Sequence, residues 1–493
     1  MTLAVASWAE AIGAEHVLCD NAVLAEWQTA TFATSQQVLA VLRPASAEQV
    51  AACMEIADCH RVPVYPVSRG RNWGLGSRVP ASDAVILDLA RLDRVLAWDE
   101  RYGSITLEPG VTFRQVHAFL AERNSDWFLP VIGGPAEASV IGNCVERGDG
   151  VGPNCERLSS MCSLEIVLPG GKMLRTGYER FGETPLASLS SMPAGPYLDG
   201  LFTQSNFGIV TRATLWLARH PKHLQLIAAR IREGALAIFV DSLQQLVDRL
   251  GHASCTFSLW NGHKLNARHG AAGDHSPGDW FSNGCLYAPS ALMAAAQREL
   301  AVHALEGCSR LEVFDEVAVP DLREQAGLFL GVPTNENIRS LYAAKTGPVP
   351  EGDLDPDRDR CGAIWLCPEV PFDGAAVVTA IGICETMLGE FGYPPVIGMS
   401  GGTPRTIRIF VSVFYDRETP GEDERAMRCH DQLHKALCTA GFFPFRLGIH
   451  SMYAASQATG PCWDLVRRIK DSLDPAGILA PGRYCSMADG DSG

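Results

Sequence analysis

A chain of 493 residues is too long for one ordinary hydrophobic core and long enough for two domains that share an interface. Its 47% hydrophobic and 20% charged content excludes a disordered or coiled-coil protein. A formal charge of −15 excludes a nucleic-acid or acidic-membrane surface, because phosphate binding needs clustered Lys and Arg whose contacts release counterions.

Met1 to Ala14 carries no basic leader and no run of about 18 apolar residues follows, so neither an export signal nor a membrane span is expected and the protein reads as cytoplasmic. Sixteen cysteines are scattered through apolar segments, such as those around Cys53, Cys162 and Cys367, and read as reduced, buried thiols. Apolar Val50, Met54 and Ala57 recur at helical spacing after Ser46, a good N-cap, and predict a helix over Ala47 to Arg61. A β-rich run, Val62 to Val67, leads into the glycine-dense loop Ser68 to Ser77. Strands over Val85 to Leu89 and Ile105 to Glu108 come next, and Pro109-Gly110 ends the second before a helix from Thr112 to Glu122. Leu164 to Leu168, Pro169-Gly170-Gly171 and Lys172 to Thr176 read as a hairpin.

The pattern changes close to Pro221. Ala235 to Leu250 places Phe239, Leu243, Leu246, Val247 and Leu250 on one helical face. Pro348 to Arg360 is a Pro/Asp-rich loop expected to be a surface excursion. Thr406 to Phe414 alternates, with Ile407, Ile409, Val411 and Val413 on one side and Arg408, Phe410, Ser412 and Phe414 on the other, which predicts a one-sided sheet; Arg408 then lies in a pocket or faces solvent. Helices over Asp423 to Thr439 and Trp463 to Leu473 complete an α+β chain. The division expected is 1–222, 223–455 with an antiparallel sheet, and a segment 456–493 that returns to the first domain.

The loop Ser68 to Ser77 is the first feature that carries chemistry. Glycines at 70, 74 and 76 admit positive φ and a close ligand, so successive N–H groups can converge on a pyrophosphate. The loop alone is equally compatible with an ordinary glycine turn, and it is neither G-x-G-x-x-G nor a Walker loop. His430 and His434 stand at i,i+4 with Asp431 between them, a spacing that can hold a metal. No third ligand is apparent, so the pair reads as a solvated helix face and no metal is predicted. Cys155 and Cys162 lack C-x-x-C spacing and read as buried thiols.

Five stretches together carry a resemblance: Ser68-Arg69-Gly70-Arg71-Asn72-Trp73-Gly74-Leu75-Gly76-Ser77; Leu107-Glu108-Pro109-Gly110-Val111-Thr112; Gly142-Asn143 through Glu146-Arg147-Gly148; Leu198 to Thr211; and Leu473 to Tyr484. In this order, over nearly the whole chain, the sequence resembles the vanillyl-alcohol oxidase/para-cresol methylhydroxylase family. Through Thr203 to Thr211 and Ile478 to Tyr484 it is most like the methylhydroxylase branch, whose members pass electrons to a cytochrome. The resemblance implies a two-subdomain FAD-binding domain of that type and a substrate, or cap, domain. It also implies a homo-oligomer, with O2 or a redox protein as electron acceptor. FAD would be enclosed by Arg69 to Asn72, with Gly74, Gly76 and Ser77 of the same loop, by Gly133-Gly134 and Gly142-Asn143, by the Ile209 strand and by Arg483. Glu156, in the run Pro153 to Arg157, matches the acidic residue the family places by the flavin N5 edge, and the paired His of relatives aligns with Ile407-Arg408.

Two departures shape the expectation. The family's phenolate-binding Tyr, Tyr and Arg align with Leu75, Phe445 and Arg446, so two hydroxyl donors are lost, each worth roughly 1.5–3 kcal/mol toward a charged group. Arg446 keeps a fork suited to a carboxylate or an enolate. Where relatives attach the flavin covalently this chain has Ala363, and the alternative attachment points fall at Asn72 and Phe128-Leu129, so FAD is expected to be held by contacts alone. The implied activity is removal of hydride from a benzylic, allylic or hydroxylated carbon of a small organic substrate to flavin N5. Para-alkylphenol oxidation and a redox-inactive flavin-fold protein are the alternatives.

Overall fold

The computed structural model describes residues 1–153, 156–269, 274–315, 323–347, 349–401 and 403–485. Cys155, which the sequence assigns to the buried thiols, and Pro348 lie outside them. Among the described residues no helix is long and apolar enough to cross a membrane, and no disulfide is formed.

Three sheets organise the chain. In the first, Val38–Leu42, Ala84–Asp88 and Val64–Val67 lie side by side and parallel, with Val17–Leu18 antiparallel at the outer edge. Ala47–His60 forms the helix that crosses over between them. The Ser46 hydroxyl accepts from the Gln49 N–H, Arg61 ends the helix in the left-handed region, and Val50, Met54 and Ala57 face the core. The second sheet is antiparallel, in the order Val95–Asp99, Ser104–Leu107, Ile209–Trp216, Met161–Val167, Met173–Arg175. Its helix Phe113–Glu122 starts on a full capping box between Thr112 and Gln115. The groove described below runs between these two layers.

The C-terminal segment joins the first sheet directly. The Val64 N–H donates to the Ile478 carbonyl and the Ala480 N–H to the Val64 carbonyl, both at 2.8 Å. Lys470 anchors this return: its buried ammonium donates to Asp474, to the Asn206 carbonyl and to the Leu479 carbonyl, so the charge is paired and its donors are used.

The third sheet has eight antiparallel strands in the order Ser309–Asp315, His223–Ile231, Trp280–Ala288, Cys255–Asn261, Val396–Ser400, Thr406–Asp416, Cys361–Pro371, Pro444–Arg446. Helices Leu236–Leu250, Ala291–Leu305, Gly374–Glu390 and Glu422–Thr439 contribute to the apolar cluster on one side of it, where Ile407, Ile409, Val411 and Val413 point. The expectation of a one-sided sheet is corrected here. Arg408, Ser412 and Phe414 are also buried, because the second face forms the floor of a chamber that the other two layers cover.

The loop 349–360 is a surface excursion only in part: Glu351 to Asp353 are exposed, but the stretch after them turns inward. Asp355 and Asp357 are buried against the glycine loop: Arg71 donates to Asp355 at 2.6 Å, and Trp73 Nε1 and Ser77 Oγ donate to Asp357 at 3.1 and 2.8 Å. Alternating Asp residues read as solvated in sequence, but here they supply acceptors to a loop rich in donors. Burial pushes the Asp357 carboxyl up to about 7, the nearby Asp355 adding to the rise, while the bonds from Ser77 and Trp73 and the charge of Arg78 oppose it.

Candidate active site

Two cavities meet at Arg71, Asn72, Ile132, Asn143 and Arg446. The first is a groove of ≈ 200 Å³ between the two N-terminal layers, and the second is a chamber of ≈ 290 Å³ over the eight-stranded sheet.

The groove is built on the strand Val64–Val67 and the loop after it. Gly70 has φ +62°, and a Cβ there would come within 2.9 Å of the Arg78 Cβ. Among the described residues the amides of Arg69, Gly70, Arg71 and Asn72 find no acceptor, so four N–H groups remain for an anion. Across the groove, a Cβ at Gly142 would meet Ser68 Oγ at 2.5 Å, so glycine lets these walls approach. Ile209, fully packed against the first core, supplies apolar wall at the same level. An elongated groove with free amides and an apolar side fits a dinucleotide such as FAD.

At the junction, Glu146 is buried between two guanidiniums. Arg483 Nη2 donates to it, Tyr484 donates at 2.9 Å, and Arg446 Nε stands 3.7 Å away. Burial alone would raise this carboxyl, but the charges of Arg483 and Arg446 and the Tyr484 hydroxyl outweigh it and hold Glu146 below the usual carboxylate range. Arg483 also donates to Tyr65 at 3.2 Å, so it bridges groove and junction. Arg446 Nη2 donates to Asn72 Oδ1 at 2.9 Å, which fixes the direction of its fork, while its Nε has no hydrogen-bond partner.

The chamber floor takes one face of the central strands. Trp365 pairs opposite Ser412, Val396 opposite Ser412 on the other side, Gly398 opposite Phe410 and Trp260 opposite Gly398, so aromatic and hydroxyl groups line one continuous surface. The short helix Gly262–His269 adds Lys264 and Arg268, one turn apart. Phe445 closes the end next to Arg446, its ring meeting Phe410 edge-on at 6.1 Å.

The predicted residues divide among these places. Arg69, Gly70, Gly76, Ser77, Gly142, Ile209 and Arg483 line the groove, as does Leu75, which the alignment puts in the substrate pocket. Arg71, Asn72, Asn143 and Arg446 face both cavities, and Gly133, Gly134 and Phe445 face the chamber. Gly74 lies below the chamber, where a Cβ would reach the Trp365 ring at 3.0 Å. Ala363 is fully buried in a cluster with Trp73 and Phe414 and lies off the wall; Trp365, two residues on along the same face, lines it instead.

Arg408 and Glu156 form a separate group beside the chamber. Arg408 is buried, lies 4.5 Å over the Phe445 ring, and has Asp149 at 3.4 Å, Glu156 at 3.5 Å and Glu369 at 3.9 Å. Arg408 thus takes neither of the two places expected for it: it is buried from solvent yet lines neither cavity, and lies against the Phe445 ring. Glu156 is paired with it and half exposed, outside both cavity walls.

The reading of His430 as part of a solvated helix face is also corrected. His430 is buried, its Nε2 lies 3.1 Å from Nε2 of His450, and the His450 ring meets Phe32 edge-on. Residue 450 is distant in sequence, so the i,i+4 pattern gave no sign of this partner.

Sequence reasoning missed Glu146, Tyr484, Lys264, Trp365 and Asp357. The first two stand inside motifs that the alignment had already marked, and a buried acid between two aligned arginines was the available signal. Lys264 carried no signal, since a lysine on a short polar helix reads as solvent-facing.

Comparison with known proteins fits this geometry. A family model described as an FAD binding domain matches residues 38–177. The 1'-carboxy-chondrochloren decarboxylase of Chondromyces crocatus is 40% identical over 98% of this chain and 96% of its own length. The 4-cresol dehydrogenase [hydroxylating] flavoprotein subunit of Pseudomonas putida is 26% identical over 97% of this chain and 94% of its own. The crystal structure of p-cresol methylhydroxylase with substrate bound superposes with a TM-score of 0.90 at 24% identity, over 99% of this chain and 98% of that one.

Proposed function

Because the chain belongs to the vanillyl-alcohol oxidase/para-cresol methylhydroxylase family of FAD-dependent oxidoreductases, we propose that it oxidises a small aromatic or unsaturated substrate bearing an acidic group that Arg446 holds. The observation that carries this reading is the lining of the chamber: Arg71, Lys264, Arg268 and Arg446 against one carboxylate, Asp149, with Trp73, Trp260, Trp365, Phe410 and Phe445 for the rest of the substrate. In such a low-dielectric wall an arginine–anion contact is stronger than in water, whereas a neutral hydroxyl has few partners.

Bound FAD supplies a two-electron acceptor. The residues that would hold it are the amides of Arg69 to Asn72 with Gly142, Ile209 and Arg483 in the groove, and Gly133-Gly134 on the chamber side. Around the substrate, Asn72 aims the Arg446 fork, and Glu146 lies between Arg446 and Arg483 and offsets only one of their two charges, which leaves positive charge for the substrate's anion. Arg446 favours the ionised form of the substrate group, so electron density moves toward the carbon that gives up hydride. The aromatic walls exclude water from that carbon; Asp149 is the one carboxylate in the chamber wall and so the acid at hand to take a proton, while Glu156 stays paired with Arg408 outside it.

A second outcome of the same chemistry is favoured by the decarboxylase relative together with the cationic wall. In a substrate with a carboxylate on the carbon next to the one that loses hydride, the C–C pair released as CO2 departs forms the new C=C bond. Atoms and electrons balance with hydride as the only reducing equivalent removed. An external acceptor, O2 or a redox protein, then takes the two electrons.

FAD should be held non-covalently, since neither Ala363 nor Asn72 offers a nucleophile. Acid precipitation of the purified holoprotein is expected to leave the yellow colour in the supernatant; fluorescence retained on the denatured protein band would refute it. The same holoprotein, mixed anaerobically with a panel of phenols and aromatic or unsaturated acids, should bleach at 450 nm (about the usual flavin maximum) with at least one acid, and headspace CO2 separates simple oxidation from decarboxylation. No bleaching with any acid would remove the reading.

A further inference from the structure

Lys264 is the one chamber cation whose surroundings call for an anion that the protein does not supply. Among the described residues no carboxylate lies within ion-pair distance of it, and its single hydrogen-bond contact is a long one, 3.5 Å to Ser412 Oγ. Its ammonium instead lies over two rings, 5.9 Å from the Trp365 centroid and 5.6 Å from that of Phe414. Burial pushes it down to about 8; the Cys367 thiol opposes the fall and Arg268 adds to it. Beside it, the buried Nε1 of Trp365 has no hydrogen-bond partner either.

An unpaired ammonium and an unpaired indole N–H on the same chamber wall are costly unless a ligand accepts from both. They share a neighbourhood, because Trp365 and Ser412 are strand partners and Lys264 contacts both. The spacing from Arg446 also follows from the sheet. Cys367 pairs with Arg446 across the strands, and Trp365 is two residues from Cys367 on the same face, one pleat repeat or roughly 7 Å along the strand, so the Lys264 group and Arg446 are displaced from each other along one chamber wall. Two cationic points set apart on one wall lined with aromatic rings fit one aromatic molecule that is acidic at both ends.

We propose that Lys264, Trp365 Nε1 and Ser412 form a second anion subsite that binds a substrate carboxylate at the end of the molecule opposite the group held by Arg446. This deepens the proposed function and rests on it for the identity of the chamber as the substrate site. The substrate class it defines is an aromatic ring with an acidic hydroxyl and a carboxylate-bearing side chain. Lys264 is then the residue that selects acids over their uncharged counterparts.

The test is equilibrium binding to the holoprotein with its flavin already reduced, under anaerobic conditions, by calorimetry, with 4-hydroxyphenyl acids carrying one to three methylenes in the side chain, each compared with the 4-alkylphenol of matching length. Wild type should bind at least one acid 10-fold or more tighter than its alkylphenol (roughly 1.4 kcal/mol per decade). Lys264→Met should abolish that preference while binding the alkylphenols within about 2-fold of wild type, with FAD content unchanged. Lys264→Arg should retain part of the preference. Trp365→Phe, which removes only the N–H, should reduce it and serves if Lys264→Met fails to fold. No preference for any acid in wild type, or a preference that survives Lys264→Met, overturns the proposal. Because binding is read without turnover, a holoprotein that prefers acids yet never bleaches would refute the oxidation and leave the subsite standing.

Discussion

Replacing Arg446 with alanine should lower kcat/KM on the best acidic substrate by roughly 30- to 1,000-fold, the equivalent of 2–4 kcal/mol of transition-state stabilisation. Arg446 faces both cavities, and its fork is fixed from one side by Asn72 and lies near Glu146 on the other. Removing it leaves Glu146 still bonded to Arg483 and Tyr484, so the buried acid does not lose its compensation and the FAD groove keeps its form. The loss therefore falls on the substrate's ionised group, and FAD content measured at 450 nm (about the usual maximum) should match wild type. Arg446→Lys should recover only part of the loss, because an ammonium is a point donor where the site is built for a fork. A loss below about 3-fold, or wild-type efficiency highest on unadorned 4-alkylphenols, would contradict the assignment.

Gly70→Val should purify folded but colourless, with FAD occupancy below about a tenth of wild type. Two effects act together. Gly70 sits at φ +62°, where a β-branched side chain is strained, and the added Cβ would come within 2.9 Å of the Arg78 Cβ, which is not the free end of a flexible chain. The loop must shift, and the amides of Arg69 to Asn72 then no longer point along one groove. The rest of the fold is spared because the core strands Val38–Leu42, Val64–Val67 and Ala84–Asp88 lie outside the loop. Far-ultraviolet circular dichroism and the absorbance ratio at 280 and 450 nm (roughly the protein and flavin maxima) decide the outcome; a fully yellow variant would show the loop to be misassigned.

Local signals carried the element boundaries well. Ser46 caps the helix it was expected to cap, the helix expected from Thr112 starts there with Thr112 as its cap, and the alternation over Thr406 to Phe414 gives the two faces of a real strand. What alternation cannot tell is what lies above each face. Phe410 and Ser412 look like a solvent side until the N-terminal layers, far earlier in the chain, are placed over them. The same limit explains Asp357, whose partners Trp73 and Ser77 are 284 and 280 residues away, and His430, whose partner is on another helix. Alignment gave the correct neighbourhood for Arg446 and Arg483 because motifs carried them, and it put Ala363 on a wall that Trp365 occupies because it registers sequence positions and not side-chain size. Lys264 was illegible for a different reason: the feature that singles it out is the absence of a partner, which only the assembled chamber reveals.

The return of the C-terminal segment to Val64 has a consequence for biosynthesis. The strand that floors the cofactor groove is hydrogen-bonded on one side to Ala84–Asp88 and on the other to Ile478 and Ala480, and Arg483 supplies groove wall as well. A nascent chain that has completed its first 222 residues holds the glycine loop but lacks one edge of the groove and the arginine that bridges it to the junction. The cofactor groove of a chain still in synthesis therefore stays incomplete until Ile478 to Arg483 have joined it.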